Sequence, residues 1–213
     1  MPYLILAIII AIIAIVIASS KKKRQNAQSY SSVEVAPDEK EYGRQGELFA
    51  TDIICSVLRD GDYFFRNVHI VYNGKKAELD NLIVNKYGVF IIEVKNYKGV
   101  INGEEDDYNW IKYKDDGYGN MFQDLVTNPI QQVKRQTYIL ANYLRENGVN
   151  VWVEGYGTLL QDNSPVNSEH LLYDVDDIDR AIHTYSRKLL DAKTIEKIKA
   201  LILELLDDAG DFS

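Results

Sequence analysis

The chain is predicted to fold as an α/β domain, a mixed central sheet flanked by helices in the order helix, three strands, helix, strand. Three observations predict it. Residues 63–72, 77–84 and 88–94 are short apolar runs rich in β-branched and aromatic residues, separated by turn residues. Asn128-Pro129 then opens a helical pattern that ends before Gly148. A further apolar run, Val149 to Leu160, follows it, so the last strand returns to the sheet by a helical crossover.

Taken in order, residues 3–18 (YLILAIIIAIIAIVIA) are apolar and uncharged, close to the lower length limit for one transmembrane helix. Lys21-Lys22-Lys23-Arg24 follow, which by the positive-inside rule places the rest of the chain on the cytoplasmic side. A cleaved signal peptide is the rival reading, but it calls for positive charge before the apolar run. The expected plan is a membrane anchor at 1–20, a basic, Ser-rich tether at 21–38, the α/β core at 39–165, and a helical extension at 166–213 packed on it.

Glu39 to Leu58 reads as a helix with Leu48, Ile54, Cys55, Val57 and Leu58 on its apolar side and Gly61 as its stop. Gly43 and Gly46 leave room for close packing against a sheet. The lone cysteine, Cys55, excludes an intrachain disulfide, fits a reducing compartment, and is expected to be a small core residue. With three histidines and no C-x-x-C spacing, a structural zinc site is not expected.

The strand at Tyr63 to Tyr72 turns at Asn73-Gly74. The next two runs carry charges that strands of this apolarity rarely hold: Glu78 and Asp80 in one, Glu93 and Lys95 in the other. Their connection, Asn85-Lys86-Tyr87-Gly88, reads as a hairpin loop with Gly88 available for a positive φ. A two- or four-residue loop puts Asp80 opposite Glu93 and Glu78 opposite Lys95; a three-residue loop puts the two charge sets on opposite faces. On the residues alone two readings stand. The charges are cross-strand polar pairs on a solvated face, or two crowded carboxylates relieved by magnesium, with Lys95 orienting water or neutralising charge on a phosphate.

Asn96 to Thr127 is glycine-rich and acidic, with short strands expected at 99–101 and 110–113, and reads as a mobile flap. The helix from Asn128-Pro129 has an apolar stripe of Ile130, Val133, Leu140 and Leu144. Its first turns are crowded by Gln131, Gln132, Lys134, Arg135 and Gln136, which read as a solvated face. Helices near Val175 to Leu190 and Ala192 to Leu206 close the chain. The stripe Ile195, Ile198, Leu201, Ile202 and Leu205 is expected to pack on the domain rather than on a partner.

The formal charge is −8, and four of the 24 basic residues lie in the tether. That excludes the strongly basic footprint of a tight, salt-resistant nucleic-acid binder.

Gly43-Arg44-Gln45-Gly46-Glu47, Glu78-Leu79-Asp80, Gly88 through Asn96, and Asn128-Pro129 with Gln132, in that order and spacing, resemble the NERD (nuclease-related) domain of the PD-(D/E)xK nuclease superfamily. The superfamily's proline before the first acid is absent, and Leu79 stands there. The resemblance implies a restriction-endonuclease-like α-β-β-β-α-β core. It implies Asp80 and Glu93 as ligands of Mg²⁺ or Mn²⁺, Lys95 as the catalytic lysine, Glu47 as a further acid, and Gln132 as support. Glu78 matches the motif too; opposite Lys95, it is expected to fix the lysine. Taken by itself, Glu47 also reads as a first-turn carboxylate favoured by the helix dipole. The expected function is a membrane-anchored, metal-dependent nuclease acting on DNA. The alternative is a catalytically silent module that binds nucleic acid or protein at the membrane.

Overall fold

The computed structural model describes residues 39–115, 120–184 and 188–210, except the side chains of residues 39–45, 47 and 208–210. The expected anchor at 3–18 and the tether lie outside the described residues. Among those described, no helix is long and apolar enough to cross a membrane.

Helix α1 (Glu39–Val57) leads into β1 (Tyr63–Tyr72), β2 (Lys75–Asn85) and β3 (Gly88–Lys95). These strands pair antiparallel in sequence. Asn73 and Gly74 turn β1 into β2 with φ of 47° and 73°, the conformation a tight hairpin with right-handed twist needs. The second turn is built differently from expectation. Gly88 does not use a positive φ; instead the Asn85 side chain accepts the backbone N–H groups of Tyr87 (2.8 Å) and Gly88 (3.2 Å). The loop is two residues long, and Asn85 pairs with Gly88, so the register is the one that places Asp80 and Glu93 on neighbouring positions.

Short strands β4 (Val100–Asn102), β5 (Asn109–Asp115) and β6 (Met121–Thr127) follow. Helix α2 (Pro129–Glu146) then carries the chain over the sheet to β7 (Val153–Leu159), which runs parallel to β3. The two-residue strand β8 (Leu171–Leu172) pairs parallel to β7 and completes a mixed sheet of order β1-β2-β3-β7-β8. Helix α2 lies close on β7 because Gly155 faces it: a Cβ there would stand 2.5 Å from Thr137 Oγ1.

The main apolar cluster joins Val68, Leu79, Leu82 and Ile91 of the sheet to Ile139, Leu140 and Leu144 of α2 and to Ile195, Ile198 and Ile202 of α4 (Ala192–Gly210). The carboxy-terminal stripe packs on the domain. Helix α3 (Val175–His183) is shorter than predicted, since the backbone turns extended at Thr184. On the opposite face Ile54 of α1 packs with Ile83, Phe90, Ile92, Ile178 and Ile182.

One expectation fails here. Cys55 and Leu48 are exposed: the inward line of α1 runs through Gly46, Ala50 and Ile54, one residue every four, and leaves them off it. The short strands expected at 99–101 and 110–113 are present as β4 and β5, and β6, which the sequence did not suggest, joins them in a second antiparallel sheet whose apolar residues share a cluster with α2 and β8. Trp110 is fully buried against Ile101, Ile130 and Leu171, and its indole N–H donates to the Glu104 carbonyl at 2.9 Å. Gly103 and the acids Glu104 to Asp107 lie in the turn beside this ring.

Candidate metal centre

The site is a break in the sheet. The β1–β2 ladder skips Asn67 and Asp80, and Asn67 sits in the left-handed region with φ of 51°. Phe65 and Val68 both face the main cluster although they are three apart, as do Leu82 and Leu79 on the partner strand. Strict alternation cannot do this, so both strands turn over at this point. The β2–β3 ladder also ends here, at Asn81 opposite Ile92. Side chains take over: the Asn81 amide donates to the Ile92 carbonyl at 3.0 Å, and the Val94 N–H donates to Asp80 Oδ2 at 3.3 Å. Asp80 is thus lifted out of regular pairing toward Glu93.

Glu93 is buried, with its side chain 1% exposed. Both its oxygens are held. Oε1 accepts from Lys95 Nζ at 2.6 Å and from Gln132 Nε2 at 2.5 Å, and Oε2 accepts from Gln136 Nε2 at 2.7 Å. Gln136 donates also to the Glu78 carbonyl at 2.8 Å, which ties α2 to β2 behind the site. Gln132 and Gln136 are one helical turn apart, so a single face of α2 presents both amides. Gln136 is buried on this face rather than solvated as the helix pattern suggests, and its four-residue spacing from Gln132 is the signal for it in the sequence.

Burial, and then the Glu93 charge beside it, push the Asp80 carboxyl up to about 7. Lys95 and the Val94 N–H pull the other way without cancelling them. Burial lowers the Lys95 ammonium, but Glu93, Tyr97 and Asp80 more than restore it, so it sits above its ordinary value. Two carboxyl groups therefore share one ammonium and are short of positive charge.

Glu78 departs from expectation. It does not hold Lys95; its exposed carboxylate lies 3.9 Å from His69 Nε2, its neighbour across β1, while Lys95 pairs with Glu93. The cause is the end of the β2–β3 ladder at Asn81, beyond which the strands do not pair. The Glu47 side chain lies outside what is described. Its neighbour Gly46 is buried, and a Cβ there would stand 2.7 Å from Asn96 Nδ2, next to Lys95. That places the α1 backbone at the end of β3.

These groups open on a cleft of about 340 Å³ lined by Glu78, Asp80, Glu93, Lys95, Tyr108, Gln132 and Arg135, among others. Among the described residues no three His, Cys, Asp or Glu side chains cluster as metal ligands. Two carboxylates with space for water suit magnesium or manganese, which bind through one or two carboxylates and keep their waters. They do not suit zinc, which takes three or four nitrogen, sulfur or carboxylate ligands. The donor set fits a hard divalent cation at Asp80 and Glu93.

A family model described as nuclease-related domain matches residues 42–159. An uncharacterized protein of Bacillus anthracis is 29% identical over 69 residues, 32% of this chain and 32% of that protein. The chain thus matches about a third of that relative's length. No solved structure matches.

Proposed function

Because the chain belongs to the nuclease-related domain family, we propose that it hydrolyses phosphodiester bonds of nucleic acid, DNA in the first place, with Mg²⁺ or Mn²⁺ held by Asp80 and Glu93. The observation that supports this most is the crowded pair itself: Asp80 is raised to about 7 beside a Glu93 held rigidly by three donors. A cation at that position, when bound, polarises the phosphoryl group and makes a coordinated water more acidic.

The chain's own residues do the rest. Gln132 and Gln136 fix the rotamer of Glu93, so the carboxylate meets its ligand without reorganising. Lys95, kept protonated, stands over the cleft to hold the attacking water or to neutralise charge developing on the phosphate. Glu47, from α1, is the further acid in this reading. Residues 3–18 anchor the chain in the cell membrane as a single span, with the domain on its cytoplasmic side.

The test offers linear, circular and single-stranded DNA, and RNA, to the full chain with either metal. Cleavage that depends on metal, and that falls roughly 10²–10³-fold in Lys95→Ala with the fold retained, is the expected result. Intact substrates in every combination would sink the proposal. The acidic charge of −8 favours a second reading, a catalytically silent module that binds nucleic acid or protein. In that case Lys95→Ala cells behave as wild type while a deletion does not.

Gln136 gives a separate measurement. Gln136→Leu strips the donor from Glu93 Oε2 and from the Glu78 carbonyl. Unfolding by urea should show a loss of about 1–3 kcal/mol, and calorimetric Mn²⁺ affinity should fall roughly 10- to 100-fold. A fully stable variant with wild-type Mn²⁺ affinity would contradict the role given to this amide.

A further inference from the structure

The cleft is lined by unlike groups. Arg135 is exposed there, its guanidinium donating to the Lys76 carbonyl, and Lys95 pairs with Glu93. Tyr108, 73% exposed, lines the same cleft at the end of the acidic turn Glu104-Glu105-Asp106-Asp107. An exposed aromatic ring at a turn is common, but this one is mounted firmly. The Tyr108 carbonyl accepts from the Asn128 N–H at 3.3 Å. The fully buried Asn128 side chain donates to the carbonyls of Glu105 (3.0 Å) and Asp107 (2.7 Å) and accepts from Ile130 N (2.9 Å). Trp110, two residues on, is fully buried. The N-cap that starts α2 therefore also fixes the turn that carries Tyr108, and α2 holds Glu93. The backbone that carries the ring and the side chain of Glu93 are thus both held from α2 and its cap.

We propose that Tyr108 is the base-stacking platform of this site, and that the chain takes single-stranded nucleic acid, or the unpaired end of a duplex, in preference to paired strands. This rests on the nucleolytic reading above. A base laid on an exposed aromatic face gains from stacking whatever its identity, provided it is unpaired. The phosphate is then offered to Arg135, Lys95 and the carboxylate pair, which line the same cleft. A cleft of about 340 Å³ takes one nucleotide with its phosphate. The acidic turn Glu104 to Asp107 beside the ring sets like charge against the additional phosphates of a paired strand.

Binding separates this proposal from cleavage. Fluorescence anisotropy of labelled oligothymidylate and of a duplex of equal length is measured with the full chain, in EDTA and in Ca²⁺. Wild type should favour the single strand. Tyr108→Ala should weaken single-strand binding about tenfold or more, the loss of one stacked base, and leave duplex binding and Tm unchanged. Tyr108→Phe and Tyr108→Trp, which keep the ring, should restore it. An unchanged ratio of single-strand to duplex affinity in Tyr108→Ala, or failure of both aromatic variants to rescue, overturns the proposal while leaving nuclease activity standing. If no oligonucleotide binds in either condition, the nucleic-acid reading falls with it.

Discussion

Asp80→Asn is expected to abolish calorimetric Mg²⁺ and Mn²⁺ binding and to lower cleavage roughly a thousandfold, while making the metal-free protein more stable above neutral pH. The two effects have opposite signs and one cause. Burial and the Glu93 charge raise Asp80 to about 7, far above the 3.8 of a free carboxyl. A carboxyl raised in the folded state holds its stabilising proton below the unfolded value and loses that contribution as pH rises through the folded one. Metal-free wild type should therefore lose stability between about pH 4 and pH 7, by up to about 4 kcal/mol. Added Mg²⁺ should restore it at pH 8 by binding the ionised pair. Asp80→Asn has no carboxyl to ionise, so its profile over that window should be flatter and unresponsive to Mg²⁺. Thermal melts in EDTA and in Mg²⁺ from pH 5 to pH 8 decide the matter. A wild-type Tm that stays flat in EDTA, or a variant that still responds to the metal, would refute the coupled pair.

The second large effect is structural. Trp110→Ala removes the fully buried indole from the cluster at β4, β5 and β6, where Ile101, Ile130 and Leu171 meet it. Such a truncation costs about 3–5 kcal/mol, a fall in Tm of roughly 10 °C for a domain of this size. It also leaves the Glu104 carbonyl without its indole donor. Hydrogen exchange should show residues 100–127 opening well before β1 to β3, because the main cluster is untouched. Uniform loss of protection across both sheets would mean that the cluster around Trp110 does not melt separately from the main one.

Strand periodicity and turn chemistry made the central sheet legible. Tyr63–Tyr72 is legible to the residue because its ends are marked by turns, and the crossover to β7 because Asn128 and Pro129 announce a helix between two apolar runs. In residues 96–127 the sequence shows β4 and β5 but not β6, whose residues are largely exposed and carry no apolar alternation. The burial of Cys55 is not legible for a related reason: an apolar helix with several candidate faces does not say which one meets the sheet.

The sequence by itself determined the charges and the condition on their register: Asp80 on one strand and Glu93 and Lys95 on the next are neighbours if the loop between them has an even length. That much follows from a side-chain period of two. Only the tertiary structure decided that the loop has two residues and which groups engage. The break at Asn67 lifts Asp80 out of the ladder, the end of the β2–β3 pairing sends Glu78 to His69 instead of Lys95, and α2 brings Gln132 and Gln136 onto Glu93 from about 40 residues away. Such contacts depend on where strands part and how a helix lies across them. Neither is encoded in any local window, because both are settled by how the two faces of the sheet are packed.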